Sequence, residues 1–264
     1  MKPTHENIIR IHNATVFRGM HKVFSSLSLC LKTGENTAIL GPNGSGKSTL
    51  LKLITREVLP VVASNSYCHL FSEDRITIWD LRKKIGIVSQ DFQNDYRALA
   101  TGKDVVISAF FGSIGLHEHN IVTQAMENQA DKVLNNLDLV HLANRQYLQL
   151  STGQQRRLLL ARALIHKPKV LIFDEPTSGL DMKASFQVIE DMRELTQNGT
   201  TLIVVTHHIH EIIPEVERLV LLKNGAIAAD GKKDKLLTDA KISELFDIQI
   251  QLKQSGGFYQ AFPA

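Results

Sequence analysis

A glycine-rich segment that ends in lysine and serine is the strongest chemical signal in the sequence. It fits the phosphate-binding pattern G-x-x-x-x-G-K-[ST] in full and lies between a strand-like stretch (37–40) and a helix-like one (48–58). Glycines let backbone N–H groups turn inward around a phosphate chain, and the start of the next helix adds partial positive charge. Lys47 can reach the β- and γ-phosphates, and the Ser48 hydroxyl can bind Mg²⁺. The residues predicted to hold a nucleotide here are Gly41, Pro42, Asn43, Gly44, Ser45, Gly46, Lys47, Ser48 and Thr49.

Two adjacent carboxylates, Asp174 and Glu175, follow the apolar run Val170–Phe173. Such a run predicts a buried parallel strand, and ligands of open α/β sheets bind at the carboxyl edge of these strands. Asp174 is then placed to hold Mg²⁺, and Glu175 to polarise a water molecule that attacks the γ-phosphate. The alternative is a polar strand end that only leaves the core. The phosphate loop favours the catalytic interpretation.

The elements that must position these residues alternate between strand and helix patterns, which predicts a parallel sheet covered by helices. The proline-free stretch from about 91 to 165 has a mostly helical pattern and is interpreted as an insertion. We therefore expect one domain over residues 1–264. Its parts are a nucleotide-binding core with a β lobe (1–90 and 166–238), a helical subdomain (91–165) and a C-terminal appendage (239–264).

Composition excludes several other classes. The 30 basic and 27 acidic residues leave a net charge of +3, too small to predict a nucleic-acid partner. The two cysteines, Cys30 and Cys68, cannot form a disulfide framework, and we expect both to be reduced. The N-terminus lacks the apolar core of a signal peptide, and the weakly polar stretch 105–116 is too short to span a bilayer.

Further motifs complete a resemblance to the ATP-binding-cassette (ABC) ATPases. The segment LSTGQ (150–154) resembles their signature motif, and SGLD (178–181) resembles their D-loop. Gln90 corresponds to the Q-loop glutamine and His207 to the switch histidine. The motifs follow the family order over residues 8–235, and this combination is far more specific than any one of them.

The resemblance implies an α/β fold: a P-loop NTPase (RecA-like) core with a mainly parallel sheet, an N-terminal antiparallel β lobe and an inserted α-helical subdomain. It also implies that two copies pack head to tail around two ATP molecules, so that the signature helix of one copy caps the γ-phosphate bound by the other. Four residues are thereby implied to contact ATP from this second surface: Ser151, Gly153, Gln154 and Asp181.

The catalytic residues implied by the resemblance are Glu175 as base, Lys47, Gln90 and His207. Gln90 would contact Mg²⁺ and the attacking water, and His207 would contact the γ-phosphate. Phe17 is the candidate for stacking on adenine, since aromatic faces stack on bases. A core phenylalanine is the alternative. His207, His208, His210 and Glu211 could instead form a metal cluster.

The resemblance further implies separate integral membrane subunits as partners and a peripheral location on the cytoplasmic face of the membrane. The docking region would be roughly 90–116, with contacts from Phe92, Tyr96, Phe110 and Phe111, although an internal helix core is an alternative. The C-terminal segment resembles cassettes that import metals or metal chelates. An ABC ATPase with a non-transport role and another P-loop enzyme, such as a kinase, are the competing functions.

One residue departs from the family pattern. Thr152 occupies a position where the family usually has a second glycine. A left-handed backbone would be strained by the Cβ of threonine, so hydrolysis slower than usual is expected if that conformation is needed there.

Overall fold

The structure is a computed structural model that describes residues 6–73, 75–90, 93 and 96–264. The chain divides into two compact units. Unit 1 consists of Met1–Leu81 and Thr201–Ala264, and unit 2 consists of Arg82–Thr200. The phosphate loop and His207 belong to unit 1, whereas both carboxylates, Gln90 and the signature motif belong to unit 2.

The described residues form strands and helices in an alternating order. The strands are β1 Asn7–Arg18, β2 His21–Lys32, β3 Thr37–Leu40, β4 Tyr67–Leu70, β5 Ile85–Val88, β6 Val170–Asp174, β7 Thr201–Thr206, β8 Arg218–Lys223, β9 Ala226–Lys232, β10 Ile250–Ser255 and β11 Phe258–Pro263. The α-helices are α1 Lys47–Ile54, α2 Ile78–Lys84, α3 Gly102–Ile107, α4 Gln124–Asn136, α5 Thr152–Leu164, α6 Met182–Gln197, α7 Lys233–Leu236 and α8 Asp239–Phe246.

Unit 1 contains both antiparallel and parallel strand pairs. An antiparallel sheet has the order β2-β1-β4. The parallel strands β7, β3 and β8 are neighbours in that order, and β9 pairs antiparallel with β8. Every residue of β3 and β7 is buried, as parallel strands covered on both faces require. The turn at Asn224-Gly225, where both residues have positive φ, joins β8 to β9, and an Asn-Gly pair is typical of such a hairpin turn.

The C-terminal part of unit 1 is more regular than the sequence pattern indicates. It comprises α8 and the antiparallel hairpin β10–β11. A Cβ on Gly257, in the hairpin turn, would lie 3.0 Å from the ring of Pro214, so the hairpin packs closely on the segment after β7. The hairpin escaped prediction because β10 exposes most of its residues and lacks a clean apolar alternation.

Unit 2 holds the inserted helices and the parallel pair β5–β6, in which Val88 lies opposite Phe173. The insertion is less helical than expected, because the described part of 91–150 contains only α3, α4 and short 3₁₀ turns. Gly112 and Gly115, with φ of 57° and 76°, break the helical pattern after α3. The predicted fold class is nevertheless confirmed: an α/β chain with a mainly parallel core sheet, an antiparallel N-terminal sheet and inserted helices.

Within the described ranges, none of the helices combines the length and the apolar character needed to cross a bilayer.

Candidate functional site

The phosphate loop leaves the buried strand β3 and turns sharply before α1. Gly44 and Gly46 have φ of 79° and 110°, values at which a side chain would be strained. A Cβ on Gly46 would also lie 2.8 Å from the Phe24 ring, and one on Gly41 would lie 2.2 Å from the carbonyl oxygen of Leu222. Backbone conformation and close packing therefore both require these glycines.

The N-terminus of α1 differs from most other helix starts in the chain. It follows Gly46, and no side chain caps its N–H groups. By contrast, the N-caps of α3, α4, α5, α6 and α8 accept hydrogen bonds through side chains of Thr101, Thr123, Ser151, Asp181 and Thr238. The backbone donors at the start of α1 therefore suit a phosphate group, which would satisfy them and be stabilised by the helix dipole.

Lys47 and Ser48 occupy the first turn of α1. The Lys47 ammonium donates to the carbonyl oxygens of Gly41 at 2.8 Å and Pro42 at 3.1 Å, which holds the cation across its own loop. Lys47 is only 6% exposed, whereas Ser48 is exposed. The loop therefore offers a fixed positive charge beside an accessible hydroxyl.

The segment before His207 meets the start of the phosphate loop within unit 1. Leu40 lies opposite Thr206 in the parallel register, and the Gly41 N–H donates to the Thr206 carbonyl at 3.2 Å. This backbone hydrogen bond places the residue before His207 beside the first residue of the loop. The His207 and His208 rings lie 3.8 Å apart between centroids.

A metal cluster of His207, His208, His210 and Glu211 is not supported. Among the described residues, no group of three or more histidine, cysteine, aspartate or glutamate side chains is arranged to hold a metal ion.

In unit 2, the acid pair lies at the end of β6 as predicted. Asp174 is the last residue of the strand, and Glu175 follows with φ of 48°. A non-glycine residue in this region costs about 1–3 kcal/mol and is enriched at functional sites. Gln90 is exposed shortly after β5, the strand that pairs with β6, so it lies at the same edge of this pair as Asp174.

The candidate magnesium ligands have suitable chemistry. Ser48, Gln90 and Asp174 offer a hydroxyl, an amide oxygen and a carboxylate, which are the hard oxygen ligands that Mg²⁺ prefers. Ser48 and Gln90 are exposed and Asp174 is half-buried, so each side chain can be reached from solvent. Each of the three groups is therefore of a kind that binds this ion.

The signature motif opens α5 with a complete capping box. The Ser151 hydroxyl accepts from the Gln154 N–H at 3.3 Å, and the Gln154 side chain accepts from the Ser151 N–H at 3.1 Å. Ser151 is exposed, so its hydroxyl at the N-terminus of α5 can be reached from solvent. A Cβ on Gly153 would lie 2.5 Å from the Ala184 Cβ, which requires glycine where α5 approaches α6.

Thr152 is the first residue of α5 and is exposed, and its backbone is helical rather than left-handed. The strain considered for this threonine is therefore not present. Asp181 is the N-cap of α6, and its side chain accepts from the Ala184 N–H at 2.8 Å. The D-loop aspartate thus has a structural role in addition to any contact with nucleotide.

Sequence reasoning missed Gln93. It is 4% exposed and donates to the Gln155 side chain at 2.8 Å, and its N–H donates to the Gln90 carbonyl at 2.9 Å. No local sequence pattern marks Gln93 as buried or as a partner of α5, so the sequence could not have revealed this contact.

The remaining predicted residues have mixed outcomes. Phe17 is 41% exposed on β1, with the Lys22 ammonium 5.9 Å from its ring centroid, so the alternative of a core phenylalanine is wrong.

Tyr96, a predicted docking contact, is 4% exposed and packs on the Tyr147 ring with 4.7 Å between centroids, so its predicted role as a surface contact is wrong. Phe110 is half-buried beside His166, and Phe111 is also half-buried. Phe92 lies outside the described residues.

A phosphate loop between a buried parallel strand and a helix, in an α/β chain with an inserted helical region, defines a P-loop nucleotide-binding protein. The family model described as ABC transporter matches residues 24–178. The chain belongs to the ABC transporter family, in which it is an ATP-hydrolysing cassette.

Two relatives illustrate the extent of the match. YmeB of Lactococcus lactis, an uncharacterized ABC transporter ATP-binding protein, is 31% identical over 97% of this chain and 99% of its own length. YlmA of Bacillus subtilis, named in the same way, is 30% identical over 93% of each chain.

Solved structures give a consistent result. A chain from a metal-chelate type ABC transporter in an inward-facing conformation aligns with a TM-score of 0.79 and 25% identity over 98% of both chains. CbiO1 of Clostridium perfringens, part of the transporter complex CbiONQ, aligns with a TM-score of 0.73 and 26% identity over 90% of this chain and 94% of its own. The dimeric cassette MJ0796 bound to ADP and Pi has a TM-score of 0.69 and 28% identity over 85% of this chain and 98% of its own.

Proposed function

We propose that this chain powers an ABC importer for a metal or metal chelate. Two copies close around two ATP molecules and reopen after hydrolysis, and separate membrane subunits convert this movement into transport. The chain would then lie on the cytoplasmic face of the membrane, held by those subunits.

One observation carries the paired arrangement: besides the uncapped start of α1, the chain has a second helix start with an exposed hydroxyl that can donate to phosphate. The start of α1 follows Gly46 without a side-chain cap, and the start of α5 presents the exposed Ser151 hydroxyl. One nucleotide needs only one phosphate loop, so the second helix start is free to serve the nucleotide of another copy. The dimeric form of MJ0796 supports this proposal.

In this proposal Lys47 neutralises phosphate charge, and Ser48, Gln90 and Asp174 hold Mg²⁺. The ion would offset the charge that develops on the phosphate oxygens. Glu175 accepts a proton from the attacking water.

His207 contacts the γ-phosphate and Phe17 stacks on adenine. Four residues of the other copy approach the same nucleotide: Ser151, Gly153, Gln154 and Asp181. The roles of His207 and of the four residues from the other copy are proposed from their places in the family motifs, and that of Phe17 from its aromatic face. All of these residues are exposed or half-buried.

The transport role is supported by relatives named as transporter cassettes, and the metal-chelate substrate class by the neighbour of that type. The test is purification of the tagged chain from its source cells in mild detergent. A polytopic membrane protein that co-purifies in stoichiometric amount is the expected result. Ribosomal or DNA association, with no membrane protein, would reject the transport role.

Pairing is tested separately with the Glu175→Gln variant, which should bind ATP and hydrolyse it poorly. Light scattering of this variant with Mg-ATP should show twice the monomer mass, and addition of Ser151→Arg should restore the monomer by blocking the start of α5. A Glu175→Gln sample that remains monomeric at saturating Mg-ATP would reject the two-copy arrangement.

A further inference from the structure

The backbone around His207 is held by a buried side-chain bridge. Thr206, the last residue of β7, is 0% exposed, and its hydroxyl accepts from the His208 N–H at 2.8 Å. The same hydroxyl donates to the carboxylate of Glu211, which is also 0% exposed. The residues immediately before and after His207 are therefore joined to each other and to Glu211.

Glu211 occupies a fixed position. It ends the 3₁₀ turn Ile209–Glu211, and Ile209, Ile212 and Ile213 are 6%, 0% and 0% exposed. Strand β11 of the C-terminal hairpin packs against this turn. A buried carboxylate is stable only where hydrogen bonds compensate its lost hydration, so the contact with Thr206 constrains both side chains.

The bridge is also connected to the phosphate loop. The Thr206 carbonyl accepts from the Gly41 N–H at 3.2 Å, and the Gly41 carbonyl accepts from the Lys47 ammonium at 2.8 Å. Thr206 thus contacts the loop through its backbone and the turn after His207 through its side chain. These contacts link the backbone on both sides of His207 to the loop that holds Lys47.

We propose that Thr206 and Glu211 are positioning residues for His207 in ATP hydrolysis. They do not touch the nucleotide and act by fixing the turn that carries the histidine. The proposal rests on the proposed role of His207 at the γ-phosphate. A group misplaced by about 1 Å can lower a rate about 100-fold, so loss of the bridge should act on kcat more than on ATP binding.

Strand β7 itself supplies a matched control. Thr201, its first residue, is 3% exposed, and its hydroxyl accepts from the Gly34 N–H at 2.8 Å. Thr206→Val and Thr201→Val therefore remove the same kind of buried hydroxyl from opposite ends of one strand. Only the first lies beside His207.

The experiment measures ATPase kcat, KM and the midpoint of thermal unfolding. Glu211→Ala and Thr206→Val should each lower kcat about tenfold or more and change KM less than about threefold, and Thr201→Val should keep kcat within about twofold. Glu211→Gln keeps an acceptor for the Thr206 hydroxyl, so its kcat should lie within about threefold of that of the unsubstituted chain. Glu211→Gln and Thr206→Val give the answer if Glu211→Ala fails to fold.

The decisive step repeats Glu211→Ala and Thr206→Val in a His207→Ala background. Neither should lower kcat further, because residues that act through one group are not additive. The positioning role would be overturned if Glu211→Ala or Thr206→Val lowered kcat by the same factor with and without His207. It would also be overturned if Thr201→Val lowered kcat as much as Thr206→Val does. Normal kcat in Glu211→Ala with poor turnover in His207→Ala would also overturn it while leaving the proposed function intact. Normal turnover in His207→Ala would reject that residue's role and the positioning proposal together.

Discussion

The N–H of Gly41 donates to the carbonyl oxygen of Thr206 at 3.2 Å, which joins the first residue of the phosphate loop to the residue before His207. This hydrogen bond follows from the parallel pairing of β3 with β7, in which Leu40 lies opposite Thr206. Two segments separated by more than half of the chain are therefore kept in contact by the sheet, and not by the loop or the histidine themselves.

Glu175→Gln should lower ATP turnover about 100-fold or more while ATP binding is retained, because the amide cannot accept a proton from water. Phosphate release measures turnover, and titration with a fluorescent ATP analogue measures binding. Glu194→Gln, on the same unit in α6, is the control and should keep normal turnover. Unchanged hydrolysis in Glu175→Gln would remove Glu175 from the role of base.

Thr152→Gly and Gly153→Ala should have opposite outcomes although the two residues are adjacent. Thr152 is exposed with a helical backbone, so Thr152→Gly should keep ATPase activity within about threefold of the original and lower stability by about 1 kcal/mol or less. Gly153→Ala would place a Cβ 2.5 Å from the Ala184 Cβ and force the start of α5 away from α6.

We expect a loss of ATPase activity of about tenfold or more in Gly153→Ala, since small displacements are costly in an active site. Steady-state phosphate release on both variants is the measurement. Complete loss of activity in Thr152→Gly, or full activity in Gly153→Ala, would contradict this account of the motif.

The ion pair between Arg157 and Asp191 should be important for the stability of unit 2. Two guanidinium nitrogens of Arg157 donate to the Asp191 carboxylate at 2.8 and 3.1 Å, and the Asp191 side chain is 4% exposed. Arg157→Ala leaves this buried carboxylate without its cation and should lower the free energy of unfolding by about 3 kcal/mol. Urea denaturation followed by circular dichroism measures this loss.

The control for that pair is Arg193→Ala, since Arg193 and its partner Glu190 are 29% and 57% exposed. An exposed pair contributes about 1 kcal/mol or less. If the two arginine variants unfold at the same urea concentration, the Arg157 pair is not a major source of stability.

His166 should make the protein less stable in mild acid. Burial lowers its pKa below the ordinary 6.5, and the charges of Lys83 and Arg162 lower it further, while a hydrogen bond to the Ala109 carbonyl opposes these effects. The folded protein then binds the His166 proton more weakly than the unfolded chain does. Its contribution to stability is full above pH 6.5 and is lost as the pH falls from 6.5 through the lowered pKa of the folded state.

The measurement is the urea midpoint at several pH values for the original chain and for His166→Gln. Below pH 6.5 the urea midpoint of His166→Gln should fall less steeply than that of the original chain. The midpoint of His141→Gln, a change at an exposed position, should fall as steeply as that of the original chain. An identical pH dependence in His166→Gln and the original chain would show that another group is responsible.

The sequence indicated the nucleotide chemistry because the phosphate loop is a local unit. Strand, glycines, lysine and serine lie within twenty residues, and their conformations depend mainly on neighbours in the chain. The strand–acid pattern at Asp174 and the turn at Asn224-Gly225 are local in the same sense. The order of the remaining motifs was sufficient to identify the family.

Tertiary structure decided which side chains are accessible and which hold the others in place. The sequence suggested Tyr96 as a surface contact, but it is buried against Tyr147. Glycine is required at position 153 because Ala184, 31 positions further along the chain, packs against it. The bridge from Thr206 to Glu211 depends on a 3₁₀ turn and on a C-terminal hairpin that no periodic pattern predicted. These features depend on close packing against residues distant in sequence, and such packing leaves no signal in the spacing of residue types along the chain.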